Sequence, residues 1–343
     1  MNSIKSVVCI LCLWMNLPLY AADTQSPFHI YMVVWRGETE VDVGFREYFK
    51  NNRIPVTFTL KDMDRDSSKF PEVIAEIKRV KPDLVYAVST PVTLGLVGKE
   101  KDLKANPEKY ITEIPVVFTL VTDAVSSGIV SNNASSQRNV TGTSHVAPLE
   151  TQLNALLSYK PFKRLGVIYN EKEQNSVIIT QELQTQAQKL GFELVAMTVP
   201  LDAAGQPIPE LLPDLVEKIA RANVDYLYMG PDSFVAGANA DVLTRTALLY
   251  QLPTFTATEI SIRKSDAMIG LVSGYYSLGQ FTAYKAEQIL VEKKAPQEIP
   301  IETLKRFSFI INMKVALALK VYPPLPVVQF AEVINVPNKI AQP

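Results

Sequence analysis

Short apolar runs rich in β-branched and aromatic residues recur along this chain, separated by stretches of helical period, and that alternation constrains the fold more than any other feature. The pattern predicts strands at 29–35, 55–59, 84–88, 116–120, 164–169, 194–198, 226–229, 254–257 and 268–273. Most are apolar at every position, as strands covered on both faces are. Between them, Leu149, Leu153, Leu156 and Leu157 recur at helical spacing behind Pro148, which suits a first helical turn. Ile179, Leu183, Ala187 and Leu190 make a second stripe, stopped by Gly191, and Val73, Ile77 and Val80 a third, stopped by Lys81-Pro82. Strands alternating with helices build parallel sheets with helices on both faces, so the expected class is α/β.

At 343 residues, 47% of them hydrophobic, the chain is long enough for two cores of ordinary domain size. Its 34 basic and 35 acidic residues leave no cationic surplus for a phosphate backbone, which excludes nucleic acid as the expected partner. Residues 1–21 read as a signal peptide: Lys5, an apolar run over 6–17, then Pro18-Leu19-Tyr20-Ala21-Ala22 as a small-residue cleavage site. The apolar run is too short to span a bilayer. Cys9 and Cys12 both lie inside that leader, without the small residues a lipid-acceptor cysteine needs before it. The exported chain would therefore have no thiol, no disulfide and no lipid anchor.

Signatures of catalysis are missing. His29 and His145 are the only histidines and lie far apart, so no metal site is expected. Gly95-Leu96-Val97-Gly98-Lys99 lacks the spacing of a phosphate loop, and Gly270-Leu271-Val272-Ser273-Gly274 sets its serine one place late for a nucleophile elbow. No catalytic residue and no cofactor is assigned. Two passages, 126–144 and 200–213, lack periodicity and are rich in Ser, Asn, Gly or Pro; the first is expected to lead into a crossing between lobes.

Five segments in order carry a family resemblance: Asp83-Leu-Val-Tyr-Ala-Val-Ser-Thr-Pro91, Ile114-Pro-Val-Val-Phe-Thr-Leu-Val-Thr-Asp123, Asn139-Val-Thr-Gly-Thr-Ser144, Leu165-Gly-Val-Ile-Tyr-Asn170 with Asn175-Ser176, and Gly274-Tyr-Tyr-Ser-Leu-Gly279. Together the chain resembles the ABC-transporter substrate-binding proteins that include tryptophan- and phenylalanine-binding members. The resemblance implies a type I periplasmic-binding-protein fold, with two doubly wound parallel-sheet lobes and a ligand cleft between them. It implies an N-terminal lobe of 27–145 plus 268–297, a C-terminal lobe of 146–267 plus 298–325, and an extension at 326–343. Crossings would fall at 144–148, 264–268 and 295–300. The implied function is periplasmic capture of a small molecule, an amino acid or related compound, for an ABC permease in the inner membrane. A periplasmic sensor or carrier working with a sensor kinase is the alternative and a hydrolase the third reading; a monomer is expected.

In open parallel sheets ligands sit beyond the carboxyl ends of the strands. That rule selects Trp35, Arg36 and Glu38, Ser89 and Thr90, Thr119 and Thr122, Asn175 and Ser176, Asp232 and Ser233, Glu259, and Tyr275 with Tyr276. For a zwitterion, Ser89-Thr90 and Asn175-Ser176 would hold the carboxylate and Asp232 or Glu259 the ammonium. Trp35, Phe118, Phe234 or Tyr276 would supply an aromatic wall. Against these stand helix capping by Asp123, Ser176 and Ser233 and core packing by Trp35. An Asp232 that only met ligand could be replaced by alanine with the fold intact.

Overall fold

A computed structural model describes residues 26–103 and 105–337, so the expected signal peptide lies outside the described residues. The first lobe contains β1 (Phe28–Val34), α1 (Glu40–Asn51), β2 (Val56–Asp62), α2 (Phe70–Val80), β3 (Leu84–Val88), α3 (Thr90–Val97), α4 (Glu100–Leu103), β4 (Val116–Val121) and β5 (Val140–Ser144). The second contains α5 (Leu149–Tyr159), β6 (Arg164–Tyr169), α6 (Gln174–Leu190), β7 (Glu193–Thr198), α7 (Leu212–Arg221), β8 (Tyr226–Met229), α8 (Ala240–Leu249), β9 (Thr254–Thr256), α9 (Glu259–Lys264) and β10 (Ile269–Val272). The chain then returns to the first lobe as α10 (Tyr275–Leu290) and finishes in the second with β11 (Ser308–Asn312), α11 (Met313–Ala318), α12 (Leu325–Val328) and β12 (Glu332–Ile334).

The first sheet runs β2-β1-β3-β4-β5, all parallel. The second runs β12-β11-β10-β9-β8-β6-β7, parallel except where β10 meets β11. Successive residues of the uninterrupted apolar strands feed two different cores. Tyr31 and Val33 pack under α2 and α3, while Ile30, Met32 and Val34 pack under α1 and α10. In the second lobe Tyr226 and Tyr228 go to one face and Leu227 and Met229 to the other. The doubly wound two-lobed class is thus the observed one. Helix α10 lies tight against α1 because Gly279 and Gly44 leave room: a Cβ on either would sit about 2 Å from the other helix's backbone.

Three expected boundaries are corrected. β10 pairs with β9 and β11, so 268–273 belongs to the second lobe and the crossing falls after it, at Ser273 and Gly274. Residues 299–302 stay with the first lobe rather than leaving it by residue 300. Ile299 and Ile301 are buried in its two cores and Ser144 donates its amide to the Glu302 carbonyl at 2.9 Å. The 326–343 tail, readable as an edge strand or a loose extension, carries an edge strand in its described part, since β12 pairs parallel with β11, and so belongs to the second lobe. The aperiodic passage 126–144 ends in a true strand, β5, whose polar sequence misled because its threonines are satisfied inside: Thr141 donates to the Ile299 carbonyl at 2.7 Å, and Thr143 meets Thr282 at 2.7 Å. Among the described residues no helix is long and apolar enough to cross a membrane.

Candidate functional site

Both lobes repeat one strand order, β2-β1-β3-β4 in the first and β7-β6-β8-β9 in the second, so each has a switch point where the winding reverses. The two switch points face each other. One cavity lies between them, and its lining comes from strand carboxyl ends and the turns that follow. Arg36 follows β1, Ser89 to Pro91 follow β3, Leu120 and Thr122 end β4, and His145 follows β5. Tyr275, opening α10, also comes from the first lobe, and from the other side come Asn175 at the start of α6, the turn after β8 from Pro231 to Gly237, and Thr258 and Ile260 after β9.

The wall of the first lobe is strained and unpaired. Ser89 caps α3 at φ 90° and Leu120 sits at φ 53°, where the register of β4 on β5 slips between Phe118 and Val121. Left-handed backbone at a non-glycine residue costs roughly 1–3 kcal/mol and gathers at functional sites. The Ser89 backbone is held on both sides, its amide donating to Thr119 at 2.9 Å and its carbonyl accepting from the Thr93 hydroxyl at 2.8 Å. Yet Ser89 Oγ and Thr122 Oγ1, both buried, have no hydrogen-bond partner.

Across the cavity, the carboxylates of the second wall are engaged by the protein itself. Asp232 Oδ1 accepts from the amides of Phe234 at 2.8 Å and Val235 at 2.6 Å, and Oδ2 from the Asn170 amide at 2.9 Å and Ser176 Oγ at 2.5 Å. Four donors fill a carboxylate. Asp232 therefore caps the π-helical turn Ser233–Ala238 and ties it to the β6–α6 loop, with no lone pair left for a ligand ammonium. This corrects the expectation that its loss would spare the fold. Beside it Glu173, equally buried, takes the Ser233 amide at 2.8 Å on each oxygen and Asn175 Nδ2 at 3.0 Å. Burial and the neighbouring Asp232 push Glu173 up to about 7, and burial raises Asp232 too. Asn175 Nδ2 also reaches the Pro231 carbonyl, while its buried Oδ1 has no partner.

Arg36 spans the gap. Its Nη1 donates to the Ser233 carbonyl at 3.0 Å, and a Cβ on Gly237 would lie 1.9 Å from that nitrogen, so the guanidinium rests where only glycine leaves space. Desolvation lowers its proton affinity. His145 is buried edge-on to Tyr275, ring centroids 6.3 Å apart. Burial holds its imidazole down at about 4, and because the Val121 carbonyl 3.4 Å from Nδ1 can only accept, the neutral ring keeps Nε2 as an acceptor. About 60 Å³ remains between these groups, room for a few waters.

Of the residues expected at the site, Arg36, Ser89, Thr90, Asn175, Asp232 and Ser233 line this cavity, as do Thr122 and Tyr275. Others lie elsewhere. Trp35 stacks on Phe70, 6.4 Å between centroids, and packs on the first lobe's core. Thr119 is buried in a hydroxyl cluster with Thr143 and Thr282. Ser176 supports Asp232 from behind, Phe118 is core, and Phe234 packs on the second lobe's core. Glu259 and Tyr276 face a separate open groove with Glu40, Arg263 and Lys264, Glu259 holding the Tyr275 amide at 2.5 Å and Tyr276 reaching Glu47 at 2.7 Å. Glu38 pairs with Arg46 at 2.9 Å. Glu173, His145, Leu120, Gly237, Thr258 and Ile260 were not selected from sequence. Glu173 sits just before α6 in the loop that follows β6, and the strand-end rule, extended over that loop, could have found it.

A sequence profile described as ABC transporter substrate binding protein matches residues 43–333. A curated relative, the tyrosine-binding protein of Clostridioides difficile strain R20291, is 27% identical over 81% of this chain and 73% of its own length. Among solved structures, a conserved domain protein from Vibrio cholerae superposes with a TM-score of 0.77 at 23% identity, over 89% of this chain and 99% of that one. An ABC domain from a streptococcus, solved in complex with L-Trp, superposes with a TM-score of 0.74 at 20% identity, over 89% and 100%.

Proposed function

The chain belongs to the ABC transporter substrate-binding protein family, and from that premise we propose that its solute is an amino acid with an aromatic side chain, bound between the lobes and passed to a membrane permease. Three buried polar atoms without partners carry this reading: Ser89 Oγ and Thr122 Oγ1 on one wall, Asn175 Oδ1 on the other. A buried polar atom left unpaired costs about 1–3 kcal/mol, and a ligand that supplies the partner recovers it. Two hydroxyl donors beside the first-turn amides of α3 suit a carboxylate. Opposite them, the Asn175 acceptor, on the same wall as Asp232, suits an ammonium. Tyr275, His145, Leu120 and Ile260 supply the aromatic and apolar lining a ring would need. The names of the tyrosine-binding relative and of the L-Trp complex point the same way.

In this reading the lobes part on the three crossings, admit the solute and close, the closed form gaining population through its higher affinity. The protein acts as a single chain outside the cytoplasmic membrane, exported through the leader at 1–21, and releases its solute unchanged. Thermal unfolding against L-tyrosine, L-tryptophan, L-phenylalanine, sugars and nucleosides tests it. A true ligand at a hundred times its Kd adds about 2.7 kcal/mol of stability. Stabilisation by a sugar or nucleoside alone, or recovery of a chemically altered solute, would sink the reading.

A further inference from the structure

Arg36 is a cation drawn by the field of Glu173 and Asp232 but bonded to neither. It is half-buried on the cavity, makes one hydrogen bond, to the Ser233 carbonyl, and among the described residues forms no ion pair. A guanidinium has five N–H donors. The nearby acids are engaged elsewhere: Asp232 accepts from four donors, and Glu173 accepts from the Ser233 amide and Asn175. A desolvated charge without a hydrogen-bonded partner is costly, and the cost is relieved by an anion that enters the same space. Ser89 Oγ and Thr122 Oγ1 on the same cavity are donors as well, and the one unpartnered acceptor there, Asn175 Oδ1, is neutral.

From this geometry we infer that Arg36 determines specificity by making a carboxylate obligatory in the bound solute. The inference rests on the amino-acid reading above and narrows it. The position of the guanidinium belongs to both lobes, because it issues from the β1–α1 loop and is seated on Ser233 and Gly237 of the facing lobe. A carboxylate held between Arg36 and the Ser89 and Thr122 hydroxyls therefore meets its full set of donors only when the lobes are closed. The matching amide or amine leaves the cation unpaired and is rejected, since discrimination is strongest where the wrong ligand strands a buried charge.

Calorimetry of wild type, R36Q and R36K tests this with L-tyrosine, L-tyrosinamide and tyramine, alongside other carboxylates and uncharged sugars. Wild type is expected to prefer the acid to its amide by about a hundredfold. R36Q should lose about tenfold to a hundredfold in affinity for the acid, the scale of a charge-assisted hydrogen bond, with little change for the amide. R36K, charged but without the planar fork, should fall between. An Arg36 that served only packing or closure would weaken acid and amide alike and leave their ratio intact, and that result would overturn the inference while the amino-acid reading stood. Binding of a different carboxylate, dependent on Arg36 and without any amino acid, would overturn the reading and keep the inference. Tight binding of an uncharged solute, or silence across the whole panel, would overturn both.

Discussion

The two walls of the cleft face the same cavity and are built on opposite principles. On the first lobe, Ser89 and Leu120 hold left-handed backbone, and Ser89 Oγ and Thr122 Oγ1 lack partners. On the second, Asp232 and Glu173 have their oxygens met by backbone amides and neighbouring side chains. One wall carries unmet bonds that a solute can complete. The other, Asn175 Oδ1 apart, completes its own bonds. Substitutions on the second wall should therefore appear first in stability, and those on the first wall in affinity.

Replacing Asp232 with alanine is the strongest way to break that contrast. It strands the amides of Asn170, Phe234 and Val235 and the Ser176 hydroxyl in a buried setting. The expected loss is roughly 3–5 kcal/mol in chemical denaturation, the scale of breaking a buried charged network. Should Asp232→Ala unfold at the wild-type midpoint and lose only affinity, the second wall would be a ligand contact after all.

Glu173 gives a smaller effect with a defined pH window. Its carboxyl, ordinarily near 4.5, is raised to about 7, so the folded state holds a proton that the unfolded state releases. That contribution to stability is fully present below about pH 4.5 and is lost as pH rises through 7. Glu173→Gln should match wild type near pH 5 and exceed it at pH 8 by on the order of 2 kcal/mol. His145 runs the other way, its value lowered from 6.5 to about 4, so its contribution is present above 6.5 and lost as pH falls through 4. Because both proteins keep His145, subtracting their stability curves leaves Glu173 together with its buried neighbour Asp232. A flat difference from pH 5 to 8 would show that Glu173 is ionised throughout.

Sequence made the architecture legible because buried parallel strands need uninterrupted apolar runs, and β1, β3, β6 and β8 stand where such runs occur. It failed where pairing over long distances decides. Nothing local in Ile269–Val272 says that its neighbours are β9 and β11, and the threonines of β5 look like loop until Thr282 and the Ile299 carbonyl are there to meet them. The strand-end rule brought Arg36, Ser89, Asn175 and Asp232 to the cavity, but it cannot choose between adjacent residues. Trp35 turns to Phe70 while Arg36 spans the cleft, and Tyr275 faces inward from the first turn of α10 while Tyr276 faces the outer groove. Which acids spend their oxygens on the protein itself, as Asp232 does, is a property of the folded network and leaves no mark in spacing.

The first wall offers the finest test, because strain and ligand contact meet in one residue. Ser89→Ala removes a hydroxyl that has no protein partner, so it should leave stability within about 0.5 kcal/mol while weakening the solute by about 0.5–1.5 kcal/mol, roughly a two- to thirteenfold rise in Kd. Ser89→Gly removes the same hydroxyl and also the Cβ that makes φ 90° unfavourable. It should match the alanine variant in affinity and gain up to about 1 kcal/mol in stability over it, less what the freer unfolded chain takes back. Equal stability of the two variants would mean that the backbone relaxes at no cost, and the strain assigned to this wall would be withdrawn. Equal affinity of both variants and wild type would remove the Ser89 hydroxyl from the ligand's partners, leaving Thr122 and Arg36 to hold the carboxylate.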